Sequence, residues 1–342
     1  MTLEQFNRLT EEFSPALIEV SKKCEVEHPT VHSVSKIIRS FGLESKIVEK
    51  TRVVAELQIQ NSASKNIALR IVMDDPVQAI IGLGALSFLT SCKEQMMGQL
   101  RVIFHTSKTG SNFSLKSIQE GELKNICGLW NLRTNSNISS GCVGIKLGSV
   151  FSTVEDFALT IFSRSNSSNV ITATANIITT LNQLTSRKTD PLKPANITIS
   201  SIHSSSAGTS IPNSVEVKGS YSSSDEAVAH QIPSLIKESV QGLTKAYGLE
   251  FEIQTAKHSA VTFDESLSCH LSNAAKEVLG SVKVVDIEYS RYPSPDLTHY
   301  LKAVPGTILE IGTGDSKSAV PLEESIRSGF KTVSWAFLKY LQ

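Results

Sequence analysis

Four side chains in this sequence have the types and positions that could support hydrolytic chemistry. Asp74 and His105 each end a run of apolar, β-branched residues that predicts a buried strand, and Asp296 and His299 lie one helical turn apart. A carboxylate or an imidazole can take a proton from water and return it to a leaving group. If the two strands are neighbours, these residues could form a polar site at one edge of a sheet.

The same four residues also have a purely structural interpretation. Asp74 could cap a strand end, His105 could hydrogen-bond to nearby backbone, and Asp296 could begin a helix as its N-cap. Clustered polar groups are often structural, so the sequence leaves both interpretations open.

Other reactive residue types are present in less specific patterns. Lys108 could be a nucleophile or an anion ligand if it were buried, but its polar neighbours favour a solvated lysine. Cys127 and Cys142 could pair, although unpaired thiols are the commoner state in such a chain. Serine is abundant and eight histidines are present, yet no G-x-S-x-G segment occurs. The segment 312–314 lacks the third glycine of a dinucleotide loop and predicts a turn.

Helices and strands alternate around these candidates. This order predicts an α/β sheet with helices on both faces. The predicted helices cover Leu3–Cys24, Val31–Phe41, Ala79–Leu89, Glu265–Leu279 and Glu323–Tyr340, and the predicted strands cover Val53–Ile59, Ile67–Met73, Leu100–His105 and Thr307–Ile311.

A second unit interrupts this pattern between residues 153 and 259. Its elements follow the order β-α-β-β-α-β, which is typical of a ferredoxin-like sandwich. Ser223 and Glu226 have capping-box spacing at the start of its second helix, which ends before Gly248, and Pro233 predicts a kink or a later start. Residues 1–152 and 260–342 would then form one discontinuous α/β domain.

The composition limits the class of protein. The chain has 342 residues, 40% of them hydrophobic, and 33 basic residues balance 33 acidic ones. Such a chain can bury two cores, and its zero net charge gives no field for nucleic acid or an anionic membrane. The sequence shows no secretory leader, no membrane-spanning run and no C-x-x-C pair among its five cysteines. We therefore expect a cytoplasmic protein.

Segments along almost the whole chain resemble family twenty of the zinc peptidases, in its aminoacylase, hippurate and auxin-conjugate amidohydrolase branch. The strand at 69–74, L-R-I-V-M-D, is similar to the family's L-R-A-D-M-D, and 100–104 is similar to its V-R-L-I-F strand. Further matches, in the family's order, are His28-Pro29, Ser114 to Gly121, Asp190-Pro191, Ala207-Gly208, Ile211-Pro212, Tyr300-Leu301 and Val304-Pro305-Gly306. The resemblance implies a zinc-peptidase-like domain with a mixed sheet, and a ferredoxin-like lid.

The family's metal-binding motifs do not match the corresponding segments. The resemblance implies zinc or manganese held by Cys, His and carboxylate ligands, a glutamate base and a lid histidine. Here the H-A-C-G-H-D segment is missing after Asp74. The positions of the family's two adjacent glutamates are occupied by Lys108 and Thr109, and the position of the histidine in G-L-H is occupied by Trp130. The lid and C-terminal histidines have no match at 163–169 or 312–320, and Pro295 replaces the glutamate of G-E-D-F. We therefore expect no metal or cofactor, and no metal ligand among the candidates.

These mismatches predict a pseudoenzyme of the amidohydrolase fold, acting as a non-catalytic binding, scaffold or regulatory protein. The alternative is a hydrolase of N-acyl amino acids or small amides with a rebuilt, possibly metal-dependent site that uses Asp74, His105 or Asp296. The resemblance also implies a homodimer, or a heterodimer with an active paralogue, through the lid. A small acyl-amino-acid-like ligand is a further expected partner.

Overall fold

The computed structural model describes residues 1–26, 29–60, 66–107, 113–147, 153–163, 169–193, 195–205, 212–223, 225–258, 263–287, 295–314 and 320–342. The chain divides into two compact units. Unit 1 combines Met1–Ser149, Phe263–Tyr289 and Ser294–Gln342, and unit 2 combines Val150–Thr262 and Ser290–Pro293.

Unit 1 contains an eight-stranded mixed sheet and eight α-helices within the described residues. The helices are α1 (Leu3–Glu12), α2 (Ser14–Val26), α3 (Val31–Ser40), α4 (Pro76–Ser91), α5 (Phe113–Gln119), α8 (Glu265–Leu279), α9 (Pro295–Ala303) and α10 (Val320–Leu341). The strands are β1 (Ser45–Val48), β2 (Arg52–Gln60), β3 (Asn66–Val72), β4 (Gly98–His105), β5 (Gly128–Asn135), β6 (Val143–Ile145), β11 (Val284–Asp286) and β12 (Gly306–Gly312).

The strand order of this sheet is β1-β2-β4-β3-β5-β12-β6-β11. Its four central strands, β4, β3, β5 and β12, run parallel, whereas β2 and β6 flank them in antiparallel pairings. Central parallel strands are usually buried on both faces, and every residue of β12 is buried here. The predicted mixed α/β fold is confirmed.

The two faces of the sheet bury different kinds of side chain. Trp130 of β5 packs against Phe337 of α10, with ring centroids 4.5 Å apart, on the face that also holds α4 and α8. Because side chains alternate along a strand, the next residue, Asn131, lies on the opposite face. There it accepts a hydrogen bond from Arg70, whose guanidinium lies over the ring of Tyr300 in α9. The first face is therefore apolar, and the second contains buried polar groups.

Unit 2 is an antiparallel sheet with two helices. Its elements follow the order β7 (Thr153–Phe162), α6 (Val170–Lys188), β8 (Ala195–Ser204), β9 (Ser214–Ser223), α7 (Glu226–Tyr247) and β10 (Glu250–His258). The sheet order β10-β7-β9-β8, antiparallel throughout, is that of a ferredoxin-like sandwich. The predicted sandwich is confirmed.

Three local predictions are wrong. The first predicted helix is two helices, which meet at Phe13, because Pro15 has no N–H and fits best in the first turn of a new helix. The N-cap of α7 is Asp225, which accepts the N–H of Val228, and not Ser223. Finally, α7 begins at Glu226 and continues past Pro233, so the later start that this proline suggested does not occur.

The burial of the neighbouring side chains accounts for the unbroken α7. Ile232 and Ile236, on either side of the proline, are 0% and 1% exposed in the core of unit 2. Burying two such side chains contributes about 3–6 kcal/mol, which offsets the roughly 3 kcal/mol that an interior proline costs a helix.

Candidate functional site

The carboxyl ends of β3, β4, β5 and β12 meet at one edge of the sheet in unit 1. Ligands and catalytic groups of open α/β sheets are commonly found at this edge. The chain places Asp74, Ser107, Asn135 and Gly312 at or just after the ends of these four strands. We call this part of the molecule the strand-end site.

Asp74 joins the ends of β3 and β4. Its Oδ1 accepts the N–H of Ser107 at 2.7 Å, and its Oδ2 accepts the Ser107 hydroxyl. Both residues are exposed. The Asp74 carboxylate is therefore held by hydrogen bonds and is also exposed to solvent. Its predicted structural role and its predicted chemical role are compatible.

Asp75, the next residue, connects the same edge of the sheet to α4 and β5. Its side chain is the N-cap of α4, accepts the N–H and the side-chain amide of Gln78 at 3.2 and 2.9 Å, and accepts the Thr134 hydroxyl at 2.6 Å. Gln78 in turn accepts the N–H of Val72 at 3.1 Å. Our sequence reasoning missed this link, although an aspartate before a proline with glutamine three residues later is a helix-start signal.

His105 lies at the end of β4 and is 4% exposed. Its Nδ1 lies 3.0 Å from the carbonyl oxygen of Thr106, and its Nε2 has no hydrogen-bond partner in the described part of the chain. Burial, together with the nearby charges of Arg70 and Arg52, holds its pKa well below the usual value of 6.5. The imidazole is therefore neutral at physiological pH, and its hydrogen bond is separate from that of Asp74 with Ser107.

The helix that carries the other two candidates is α9. Asp296 is its second residue, and its side chain lies outside the described positions. The alternative of Asp296 as an N-cap is wrong, because the helix begins at Pro295. His299 is half-buried one turn later. Nothing in the described residues brings Asp74, His105 and His299 together as one hydrogen-bonded group.

A buried ionic cluster lies under α5 and α9. Arg52, 1% exposed, is 3.2 Å from Glu122 and donates to the hydroxyl of Ser117. Glu122 also accepts the hydroxyl of Tyr300, and burial with this carboxylate raises the pKa of Tyr300 above its usual 10. The cluster joins β2, α5 and α9, so it positions the helix that carries two of the candidates.

Trp130, which the sequence match aligns with a family histidine, does not lie at the strand-end site. It is the third residue of β5, about 17 Å before the end of the strand at Asn135, and it is buried against the helices. The residues that β5 presents at the edge are Arg133, Thr134 and Asn135. Lys108 and Thr109 lie outside the described residues.

The described residues do not fit a two-metal centre. They contain no group of three or more His, Cys, Asp or Glu side chains that could hold a metal ion. The two aspartates of the edge are hydrogen-bonded to serine, glutamine and threonine, and the imidazole of His105 lies near two guanidinium groups. Two close divalent ions need several converging donors, which this set does not supply.

Two further expectations concern the cysteines and membranes. None of the five cysteines forms a disulfide, so Cys127, which is exposed, and Cys142, which is half-buried, do not pair. No described helix has the length and apolar character needed to cross a bilayer.

Comparison with known structures identifies the fold. The Bacillus subtilis YxeP protein, a dinuclear metal-binding peptidase of the M20 family, superposes with a TM-score of 0.76 at 18% identity, over 97% of this chain and 99% of that one. The aminopeptidase PepT of Bacillus cereus gives a TM-score of 0.69 at 13% identity, over 98% and 99% of the two chains. The chain has the fold of the M20 peptidases. No family model matches the sequence.

Sequence relatives agree with this assignment. A Synechocystis sp. protein named "probable hydrolase" is 24% identical over 99% of both chains. The N-acyl-L-amino acid amidohydrolase of Geobacillus stearothermophilus is 22% identical over 81% of this chain and 86% of its own length. Relatives and structural neighbours thus agree on an M20-like fold and on sequence similarity to hydrolases and amidohydrolases.

These relatives overturn the main functional expectation. The mismatched metal motifs led to a non-catalytic binding or scaffold protein, but the relatives that match the M20-like chain over most of its length are named as hydrolases, deacetylases and amidohydrolases. The alternative of a hydrolase fits them better. The expectation was drawn from mismatches at single motif positions, whereas these relatives match most of the chain.

Proposed function

We propose that the chain hydrolyses the amide bond of N-acyl amino acids or of other small amides. The observation that carries the proposal is its similarity over most of its length to proteins named for this chemistry, among them an N-acetyl-L-cysteine deacetylase and an N-acyl-L-amino acid amidohydrolase. The strand-end site supports it, because an exposed carboxylate stands at the edge where open α/β sheets bind their substrates.

Asp74 is the base candidate in this proposal. Amide hydrolysis needs a group that takes a proton from the attacking water and returns one to the departing amine. The Asp74 carboxylate is open to solvent, and its hydrogen bonds from the N–H and hydroxyl of Ser107 fix its orientation. Asp75 and Thr134 hold the adjacent strand ends in register.

His105, Asp296 and His299 keep supporting roles in the proposal. The neutral His105 is buried directly behind the end of β4, and Asp296 and His299 are on α9, which the Arg52 and Glu122 cluster fixes to unit 1. Because the described donors do not fit two metal ions, we propose a rebuilt site whose base is Asp74, and we derive no step that passes through a metal.

A direct assay tests the proposal. Purified full-length protein is incubated with N-acetylcysteine, N-acetylmethionine and N-acetyldiaminopimelate, and release of the free amine is measured with and without chelator or added zinc or manganese. We expect turnover of at least one substrate and a drop of about 10²–10⁴-fold in kcat for Asp74→Asn, the usual contribution of a general base.

The matched control is Asp286→Asn, at the exposed end of β11 in the same sheet. It should leave turnover unchanged. An Asp74→Asn variant as active as the wild type would exclude Asp74 as the base. Absence of turnover across the panel, under every metal condition, would overturn the hydrolase proposal itself, whereas chelator-sensitive turnover with bound metal would overturn the rebuilt, metal-free site alone.

We also propose assembly through unit 2, as a homodimer or with a paralogue. Strand β8 is at the edge of its sheet, and Ile202 on this strand is 54% exposed. An edge strand offers unpaired backbone groups to a second chain. Light scattering of the wild type and of Ile202→Asp tests this proposal: a dimer that the substitution converts to monomer is expected, and a wild-type monomer would refute homodimerisation.

A further inference from the structure

A groove of about 430 Å³ lies between α8 and α10 in unit 1. This volume is within the range of about 300–1,000 Å³ that is usual for small-molecule sites. Val278 and Leu279, at the end of α8, line the groove with apolar side chains, and Gly141 also lines it. The groove is distinct from the strand-end residues that carry the proposed hydrolysis.

Charges of both signs line this groove. Glu323, Arg327 and Lys331 follow one another at four-residue spacing on α10, so they share a face and are about 6 Å apart along the axis. Lys283 faces them from the turn after α8, and Glu324 adds a second carboxylate. One end of the groove is therefore acidic and the other is basic.

None of these five side chains makes an ion pair with another described residue. Glu323 and Arg327 have the order and spacing that favour a helical ion pair, yet their charged groups stay more than 4.0 Å apart. A groove that keeps opposite charges apart leaves both available to a ligand that bears both charges.

The groove wall is firmly held. The Ser325 hydroxyl donates to the carbonyl oxygen of Gly312 at 2.6 Å and lies 2.8 Å from the Ser140 hydroxyl, so the second turn of α10 is fixed to the β5–β6 loop and to the end of β12. Gly141 has φ +80°, and a Cβ there would lie 3.3 Å from the Glu324 carboxylate. A side chain at position 141 would therefore crowd the Glu324 carboxylate.

We propose that this groove binds a free α-amino acid with an apolar side chain. The α-ammonium group would pair with Glu324 and Glu323, the α-carboxylate with Arg327 and Lys331, and the side chain would lie on Leu279. A simple anion would meet two carboxylates, and a simple cation would meet three basic groups, so a zwitterion fits the lining best. The proposal does not rest on the proposed hydrolysis.

Calorimetric titration of the full chain with L-leucine tests the proposal. Two analogues each lack one charge: 4-methylpentanoate has no ammonium group, and 3-methylbutylamine has no carboxylate. We expect saturable binding of leucine, and binding at least roughly tenfold weaker for each analogue, since each loses a charge-assisted hydrogen bond.

Three variants test whether the ligand binds in this groove. Arg327→Gln and Glu324→Gln should each weaken leucine binding by roughly tenfold, whereas Lys276→Gln, on the exposed side of α8, should not change it. All three positions are exposed, so the variants should keep the thermal transition of the wild type. Absence of saturable leucine binding, equal affinity for 4-methylpentanoate, or unchanged binding in Arg327→Gln and Glu324→Gln would overturn the proposal.

Discussion

Replacing Arg52 by methionine should destabilise unit 1 strongly. Arg52 and Glu122 have side chains only 1% and 4% exposed, and their charged atoms are 3.2 Å apart. At an effective dielectric constant of about 20, two unit charges at this distance attract by about 5 kcal/mol. Methionine fills a similar volume but leaves the carboxylate of Glu122 buried with only the Tyr300 hydroxyl in place of its charge partner.

Breaking one side of a buried ion pair usually costs about 3–5 kcal/mol, and we expect that range for Arg52→Met. The contacts of Arg52 with Glu49 and Glu120 change this value little, because these carboxylates are 31% and 41% exposed and solvent screens them. The matched control is Arg8→Met. Arg8 pairs with Glu12 at 3.9 Å on the surface, so its loss should cost less than about 1 kcal/mol.

Tryptophan fluorescence during urea unfolding measures the effect. The two tryptophans of the chain, Trp130 and Trp335, are both buried in the core of unit 1, so their signal reports this unit separately from unit 2. If Arg52→Met shifted the transition no more than Arg8→Met does, the ion pair would not stabilise the fold.

A double variant distinguishes the lost pair from lost packing. Arg52→Met combined with Glu122→Leu removes both charges, and buried pairs can often be replaced by apolar groups of similar volume at little cost. The double variant should therefore be more stable than the sum of the single changes predicts, by about 0.5–3 kcal/mol. Additive costs would contradict a direct interaction between the two charges.

Three further changes test other parts of the structure. Burial lowers the pKa of His105, so just below about pH 6.5 the unfolded chain binds a proton at this residue that the folded chain does not. The free energy of unfolding should therefore decrease as the pH is lowered below about 6.5, by at most about 1.4 kcal/mol per pH unit. Urea titrations at several pH values should show a smaller dependence for His105→Gln. Gly312→Ala places a Cβ 2.2 Å from a backbone oxygen and should lower the free energy of unfolding by about 1–3 kcal/mol. In contrast, a Cβ at Gly242, on α7, meets nothing within 4 Å, so Gly242→Ala should stabilise unit 2 by about 0.5–1 kcal/mol. Thermal unfolding followed by circular dichroism measures both effects. Asp75→Ala removes the cap of α4 and should cost about 1–2 kcal/mol in tryptophan fluorescence, with recovery in Asp75→Asn.

The sequence was sufficient to predict the fold class and most long elements, although it did not reveal β5, an eight-residue strand at the centre of the sheet. Strands such as β3 and β12 are continuous apolar runs, and the order of elements between 153 and 259 permits few arrangements other than the sandwich. Strands β6 and β11 were missed because each has three residues, which is too short for any period to be visible. Their positions depend on pairing with distant strands.

The candidate site was predicted less well, because its geometry depends on contacts distant in sequence. Asp75 and Thr134 are 59 residues apart, and Arg52 and Glu122 are 70 apart, so no local pattern reveals either pair. The position of Trp130 in the fold could not be predicted for a related reason. Only the pairing of β5 with β3 and β12 shows that Trp130 lies well before the end of its strand.

The two consecutive aspartates after β3 show how support and chemistry can be divided at this edge. Asp75 accepts three hydrogen bonds from α4 and β5, so its oxygens are used in holding the fold. Asp74 accepts bonds from one exposed residue, Ser107, and remains open to solvent. A carboxylate that receives a substrate must be fixed by the protein and still reachable, and of the two only Asp74 satisfies both conditions. If the two roles are divided in this way, Asp74→Asn should lose turnover without losing stability. Asp75→Ala, by contrast, should lose stability.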